Sequence, residues 1–224
     1  MPFGARETLE AHEMLQELKI GIEHLAYYAR HCSDRGLKSV LERHTDRMIG
    51  AYDRLRGYTH DYHAASGRPL PYERPNVSPQ DIRYGLHNPQ QIPLQESGRG
   101  GYPPEQLALY ALNIHKNMAR NAMAAALECA DPNVRDILLN AANSCANEAY
   151  ELFLALNAQG TYQVPSMHDH TAKTYLHPYQ ASDRAGADGE RRFGTGQQHD
   201  VPAYSPYRSQ EHQAQVHALD RQPL

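Results

Sequence analysis

Apolar residues recur along two separated stretches of the chain, at alternating steps of four and three. The first run is Ala11, Leu15, Leu18, Ile22, Leu25, Ala29 and Cys32. At that spacing side chains fall on one stripe of a helix, the seam along which helices pack in a left-handed bundle. Thr8 stands ahead of it as an N-cap, with Glu10 and Glu13 near the positive end of the helix dipole. Asp34-Arg35-Gly36 breaks the pattern, and a second stripe follows at Leu37, Leu41, His44, Met48, Ala51, Leu55 and Tyr58. A third begins after Pro103-Pro104-Glu105 with smaller side chains: Ala108, Leu112, His115, Ala119, Ala122, Ala126 and Cys129. Asp131-Pro132 stops and restarts the chain as N-cap and first helical residue. The fourth stripe is Val134, Leu138, Ala141, Cys145, Glu148, Leu152 and Ala155, and Gly160 closes it.

The second pair of stripes repeats the first. Residues 11–58 lie over 108–155 at a constant offset of 97, so that Cys32 and Asp34 fall on Cys129 and Asp131. A helical hairpin cannot bury its own apolar stripe, and two of them close one core. The pattern therefore predicts an all-α fold: a four-helix bundle over 6–160, built from hairpins 6–64 and 104–160. Between them lies a connection, 65–103, rich in Pro, Gly and Tyr, and such length inside a compact domain is unusual. Residues 161–224 form a low-complexity Tyr/His/Gln/Pro-rich tail. It has too little aliphatic content to offset its ordering entropy, so a disordered tail is expected.

Composition narrows the function classes. A formal charge of −4 gives no reason to expect nucleic acid or an anionic membrane as partner. No apolar run approaches the length of a membrane span, and the N-terminus lacks a signal-peptide core, so synthesis in the cytosol without membrane insertion is expected. The three cysteines lack metal-ligand spacing and read as packed thiols. Gly98-Arg99-Gly100-Gly101 lacks the strand and Lys-Ser/Thr context of a phosphate loop.

Two sets of residues carry a family resemblance. One is Ala124 to Arg135, reading Ala-Ala-Ala-Leu-Glu-Cys-Ala-Asp-Pro-Asn-Val-Arg, followed by Tyr150-Glu151-Leu152-Phe153 and Gly160-Thr161-Tyr162-Gln163-Val164-Pro165. The other is the opening Arg6-Glu7-Thr8-Leu9-Glu10-Ala11-His12-Glu13-Met14-Leu15. Together they resemble the Coat F family of bacterial spore coat proteins. The resemblance implies a ferritin-like bundle and a non-catalytic structural role in the endospore coat. It also implies synthesis in the mother-cell cytoplasm, with other spore coat proteins and further copies of the chain as partners. The linker can cross the bundle or loop back at one end; by analogy with ferritin-like folds, the crossing path is expected.

A ferritin-like bundle raises the question of metal. Its oxidoreductases carry Glu-x-x-His pairs that project inward from two helices, and this sequence contains none. No catalytic residue, resident metal or cofactor is therefore expected. One polar layer remains as a candidate, formed by His115 and Glu148, with Glu128 as its third candidate ligand. Its repeat partners are the apolar Leu18 and Ala51, so a register-fixing hydrogen-bonded pair is the expected role. His44 is placed on a different layer, near Leu25. The alternative reading is a ferritin-like metal-binding protein, or a metal-dependent oxidoreductase, with an atypical site.

Fifteen tyrosines stand against three phenylalanines and no tryptophan. Many fall in the linker and tail, where aromatic faces and hydroxyls suit adhesive packing between molecules. Tyr162, Tyr175, Tyr179, Tyr204 and Tyr207 are the candidates for assembly or crosslinking. Tail histidines read as solvated polar residues.

Overall fold

The computed structural model describes residues 4–60, 75–88 and 101–179. Four long helices, α1 (Ala5–His31), α2 (Arg35–His60), α3 (Pro104–Glu128) and α4 (Pro132–Ala158), pack as two hairpins in one bundle. A short helix, α5 (Asp169–Leu176), belongs to a separate unit that begins at His168. Among the described residues there is no strand, only isolated bridges from Tyr84 and Gly85 to Val164. No described helix is long and apolar enough to cross a membrane.

Both hairpin turns are built the same way. Each first helix of a pair ends on a cysteine in extended conformation, Cys32 (φ −77°, ψ 125°) and Cys129 (φ −84°, ψ 127°). Two residues later an aspartate caps the next helix. Asp34 Oδ1 accepts from the Leu37 N–H at 2.6 Å, and Asp131 Oδ1 accepts from those of Asn133 and Val134 at 2.8 and 3.1 Å. A capping carboxylate satisfies N–H groups that the first turn of a helix leaves without a partner.

Helix α1 starts at Ala5, a turn earlier than Thr8 suggested. Glu7 supplies the reason: its Oε1 accepts from the Gly4 N–H at 2.8 Å, while the Thr8 hydroxyl donates to the Gly4 carbonyl at 2.9 Å. The far end of α4 is closed by Gly160 at φ +80°, a conformation open to glycine without strain.

Three contacts set the direction of every helix. Glu7 Oε2 accepts from the N–H groups of both Ala130 and Asp131 at 2.9 Å, so the start of α1 meets the end of α3. At the opposite end of that pair, the rings of Tyr28 and Tyr110 lie 5.9 Å apart. The Tyr58 hydroxyl donates to Asp131 Oδ2 at 2.8 Å, so the end of α2 meets the start of α4. Helices α1 and α3 are thus antiparallel, as are α2 and α4, and α2 runs parallel to α3. The turns at Asp34 and Asp131 lie at opposite ends, and so do the end of α2 and the start of α3 that flank the linker.

Its described part is already at the far end. The buried Asn157 side chain accepts from the Arg83 N–H at 2.8 Å and donates to the Arg83 carbonyl at 3.0 Å. Gln163 repeats this with His87, at 2.7 and 2.9 Å. Each amide reads one backbone residue of the linker as a neighbouring strand would.

The core is aliphatic, with Leu18, Leu25, Leu41, Leu55, Leu112 and Leu138 essentially without exposure. Burying such a side chain stabilises by roughly 1.5–3 kcal/mol. On α3 and α4 small residues do the packing: Ala111, Ala122, Ala125, Ala141 and Ala142 are all buried. The buried face of α3 is wider than the seven-position stripe, taking in Leu107 and Met118 and leaving Ala119 and Cys129 only half-buried. On α4, Leu156 is buried in place of Ala155, which is exposed. Between α1 and α2, a Cβ on Gly21 would stand 2.7 Å from Met48 Sδ.

Candidate functional site: a buried His–His–Glu layer

Three ligand-type side chains meet in the bundle core: His44 from α2, His115 from α3 and Glu148 from α4, all buried. His44 Nδ1 lies 3.1 Å from His115 Nε2, with the rings edge to face at 4.9 Å between centroids. His115 Nδ1 lies 3.2 Å from Glu148 Oε2. That approach is close but makes no hydrogen bond, leaving His115 Nδ1 and Glu148 Oε1 without hydrogen-bond partners. On the other side His44 Nε2 lies 3.1 Å from Glu151 Oε2, and Arg43 donates to Glu151 Oε1. The layer is a chain of contacts running Arg43, Glu151, His44, His115, Glu148 from the half-exposed edge inward.

Burial determines the charges along it. Burial lowers the affinity of His44 for a proton, and the hydrogen bond to Glu151 opposes this only in part. Burial does the same for His115, reinforced by His44 beside it. Glu151 moves the other way: the hydrogen bond from His44, with Arg43 adding to it, brings its carboxyl down to about 2. Glu148 is pushed up to about 8 because a buried carboxylate lacks water to stabilise its charge. One proton arrangement agrees with all four directions. Ionised Glu151 accepts from His44 Nε2–H, His44 Nδ1 accepts from His115 Nε2–H, and Glu148 is protonated.

Of the three residues of the expected polar layer, His115 and Glu148 meet and Glu128 does not join them. Glu128 ends α3 at the Asp131 end of the bundle, where its carboxylate pairs with Arg6 Nε at 2.9 Å on the surface. His44 was placed on a separate layer, and it stands against His115 instead. The reason is direction. Layers counted outward from the two turns coincide only if the turns share an end, whereas here they lie at opposite ends. Leu18 and Ala51, the repeat partners, are therefore not the neighbours of His115 and Glu148 that the offset implied.

Sequence reasoning missed Glu151 and Arg43. Glu148-x-x-Glu151 was the available signal, since carboxylates three apart share a helix face. Among the tyrosines, Tyr162 is half-buried on the bundle, its ring edge-on to Phe153 and its hydroxyl accepting from Lys116 Nζ at 3.0 Å. Tyr175 and Tyr179 are 79% and 80% exposed. Tyr204 and Tyr207 lie outside the described residues, as do most of the linker and the tail beyond 179.

No curated protein and no solved structure matches the chain. A family match exists for α3, the Asp131 turn, α4 and the segment that folds back through Val164. Residues 105–165 match the Coat F domain, so the chain carries that domain, consistent with a Coat F family spore coat protein.

Proposed function

We propose that this protein is a non-catalytic structural component of the bacterial endospore coat, made in the mother-cell cytoplasm. Its helical bundle is the rigid part, and its Tyr- and Pro-rich segments are the adhesive part. The observation that carries the reading is the Coat F domain over 105–165, since Coat F is a structural spore coat family. The parallel run of α2 and α3 supports a ferritin-like scaffold, in which one long connection joins two such helices. Tyr175 and Tyr179, exposed outside the bundle, present aromatic faces and hydroxyls to neighbouring molecules. Other coat proteins and further copies of the chain are the partners this surface suits.

The test is fractionation of purified spores that make either the full chain or a chain ending after Met167. Recovery of the full chain in the extracted coat, with loss of the shorter one, is the expected result. A full chain absent from the coat fraction would overturn the coat assignment. Equal incorporation of both would overturn the adhesive role of the tail.

A further inference from the structure

We propose that His44, His115 and Glu148 form a binding site for one divalent first-row transition-metal ion of the zinc or ferrous class. The site is separate from the structural role proposed above and rests on the geometry of the buried layer.

The two imidazoles turn one nitrogen of each towards the other, His44 Nδ1 and His115 Nε2, at 3.1 Å. Two nitrogens at metal–nitrogen distances of about 2.0–2.1 Å, at right angles or tetrahedral angles, stand about 2.9–3.4 Å apart. Glu148 offers a carboxylate oxygen, and one ligand atom from each of the three residues lies within 4.8 Å of the others. At its widest that is more than an ångström looser than a closed site, and side-chain rotation must bring the carboxylate in. Two histidines with one carboxylate is a donor set suited to zinc or non-haem ferrous iron.

The surroundings match what metal-binding imidazoles need. A ligating histidine is held in place by a carboxylate on its other nitrogen. His44 has this from Glu151, which Arg43 fixes in turn. Glu148 Oε1 is buried without a hydrogen-bond partner, and an unsatisfied carboxyl oxygen in an aliphatic core is costly unless something binds it. An ion would give that oxygen a partner. A cavity of about 260 Å³, lined by Leu37, Val40, Ala108, Glu151 and Leu152, reaches Glu151 at the outer end of the layer.

Glu-x-x-His is absent because this arrangement draws its histidines from α2 and α3 and a carboxylate from α4. The i, i+3 partner of Glu148 is Glu151, which buttresses His44.

The test uses the full chain, purified without an affinity tag, stripped with chelator and titrated with Co(II) as a spectroscopic probe, then with Zn(II). One equivalent of Co(II) with ligand-field absorption, displaced by Zn(II), is expected. The double variant H44Q/H115Q should lose that equivalent while keeping twelve of the fourteen histidines. E148Q, nearly isosteric, should weaken binding by at least about tenfold while circular dichroism reports an intact helical fold. No ligand-field band in the parent chain would overturn the site. So would binding that persists unchanged in E148Q and in H44Q/H115Q, since the ion would then be held by other histidines.

Discussion

His44 Nδ1 stands 3.1 Å from His115 Nε2, joining α2 to α3 across the diagonal of the bundle. These two helices are otherwise poorly connected in the core, since each packs mainly against α1 and α4. The contact locks the relative height of two parallel helices, and its partners extend it to α4 through Glu148 and Glu151. Loss of one imidazole leaves the other's nitrogen buried without a partner.

In chelator, His44→Leu and His115→Leu should therefore each destabilise the bundle by about 1–3 kcal/mol, the cost of an orphaned buried polar group. The double variant should cost less than the sum, because neither orphan remains. Urea denaturation of all four proteins gives the coupling, expected at about 0.5–2 kcal/mol. Strict additivity would mean that the rings do not interact.

Glu7 ties the start of α1 to the α3–α4 turn through N–H groups of Ala130 and Asp131, and it caps its own helix through Gly4. Glu7→Gln should cost roughly 1–2 kcal/mol at neutral pH, since hydrogen bonds to a charged group are the stronger kind. The bond from the Asp131 N–H is the leading cause that holds the Glu7 carboxyl below its usual value of 4.5. A depressed carboxyl stabilises the fold above its unfolded value, and that contribution disappears as pH falls through the folded one. The gap between parent and variant should thus be full at pH 7, begin to shrink below about pH 4.5, and close at lower pH. Denaturant midpoints measured from pH 7 down to pH 2.5 would show it; a gap independent of pH would assign the effect to shape rather than charge.

Asn157 pins the linker by accepting from and donating to Arg83 while also donating to the Tyr162 carbonyl at 3.0 Å. Asn157→Ala removes all three bonds without touching the helix seam. Amide hydrogen exchange is expected to accelerate at residues 83–87 and to stay unchanged in the middle of α1 and α2. Unaltered exchange at Arg83 would mean that the segment is held by other contacts.

Cys32 and Cys129 sit at homologous turns, yet those turns lie at opposite ends of helices roughly 40 Å long. A disulfide needs Cα atoms within about 7 Å. Mild oxidation should give no intrachain Cys32–Cys129 bond, as read by mass spectrometry of non-reduced peptides from the monomer. Finding that bond would mean a linker that loops back, with both turns at one end.

Local rules alone determined much of this protein. The four-and-three spacing from Ala11 to Cys32 marks helices because side-chain periodicity needs no knowledge of the partner. Asp131 and Pro132 mark a helix start for the same reason, since capping is settled within a few residues. The coincidence of Cys32-x-Asp34 with Cys129-x-Asp131 pointed to two hairpins of one design. Tertiary structure decided what lies opposite what. His44, His115, Glu148 and Glu151 are scattered over three helices, and their meeting depends on the direction of α2 relative to α3, which an intervening linker sets and no helical period records. The offset of 97 put Leu18 and Ala51 beside His115 and Glu148, which would hold only for hairpins with their turns at one end. Glu7 likewise lies ahead of the N-cap that Thr8 suggests, and only the antiparallel run of α1 and α3 brings Asp131 to it. Sequence specifies faces through local periodicity, whereas register across a bundle is set by long-range chain connectivity and packing.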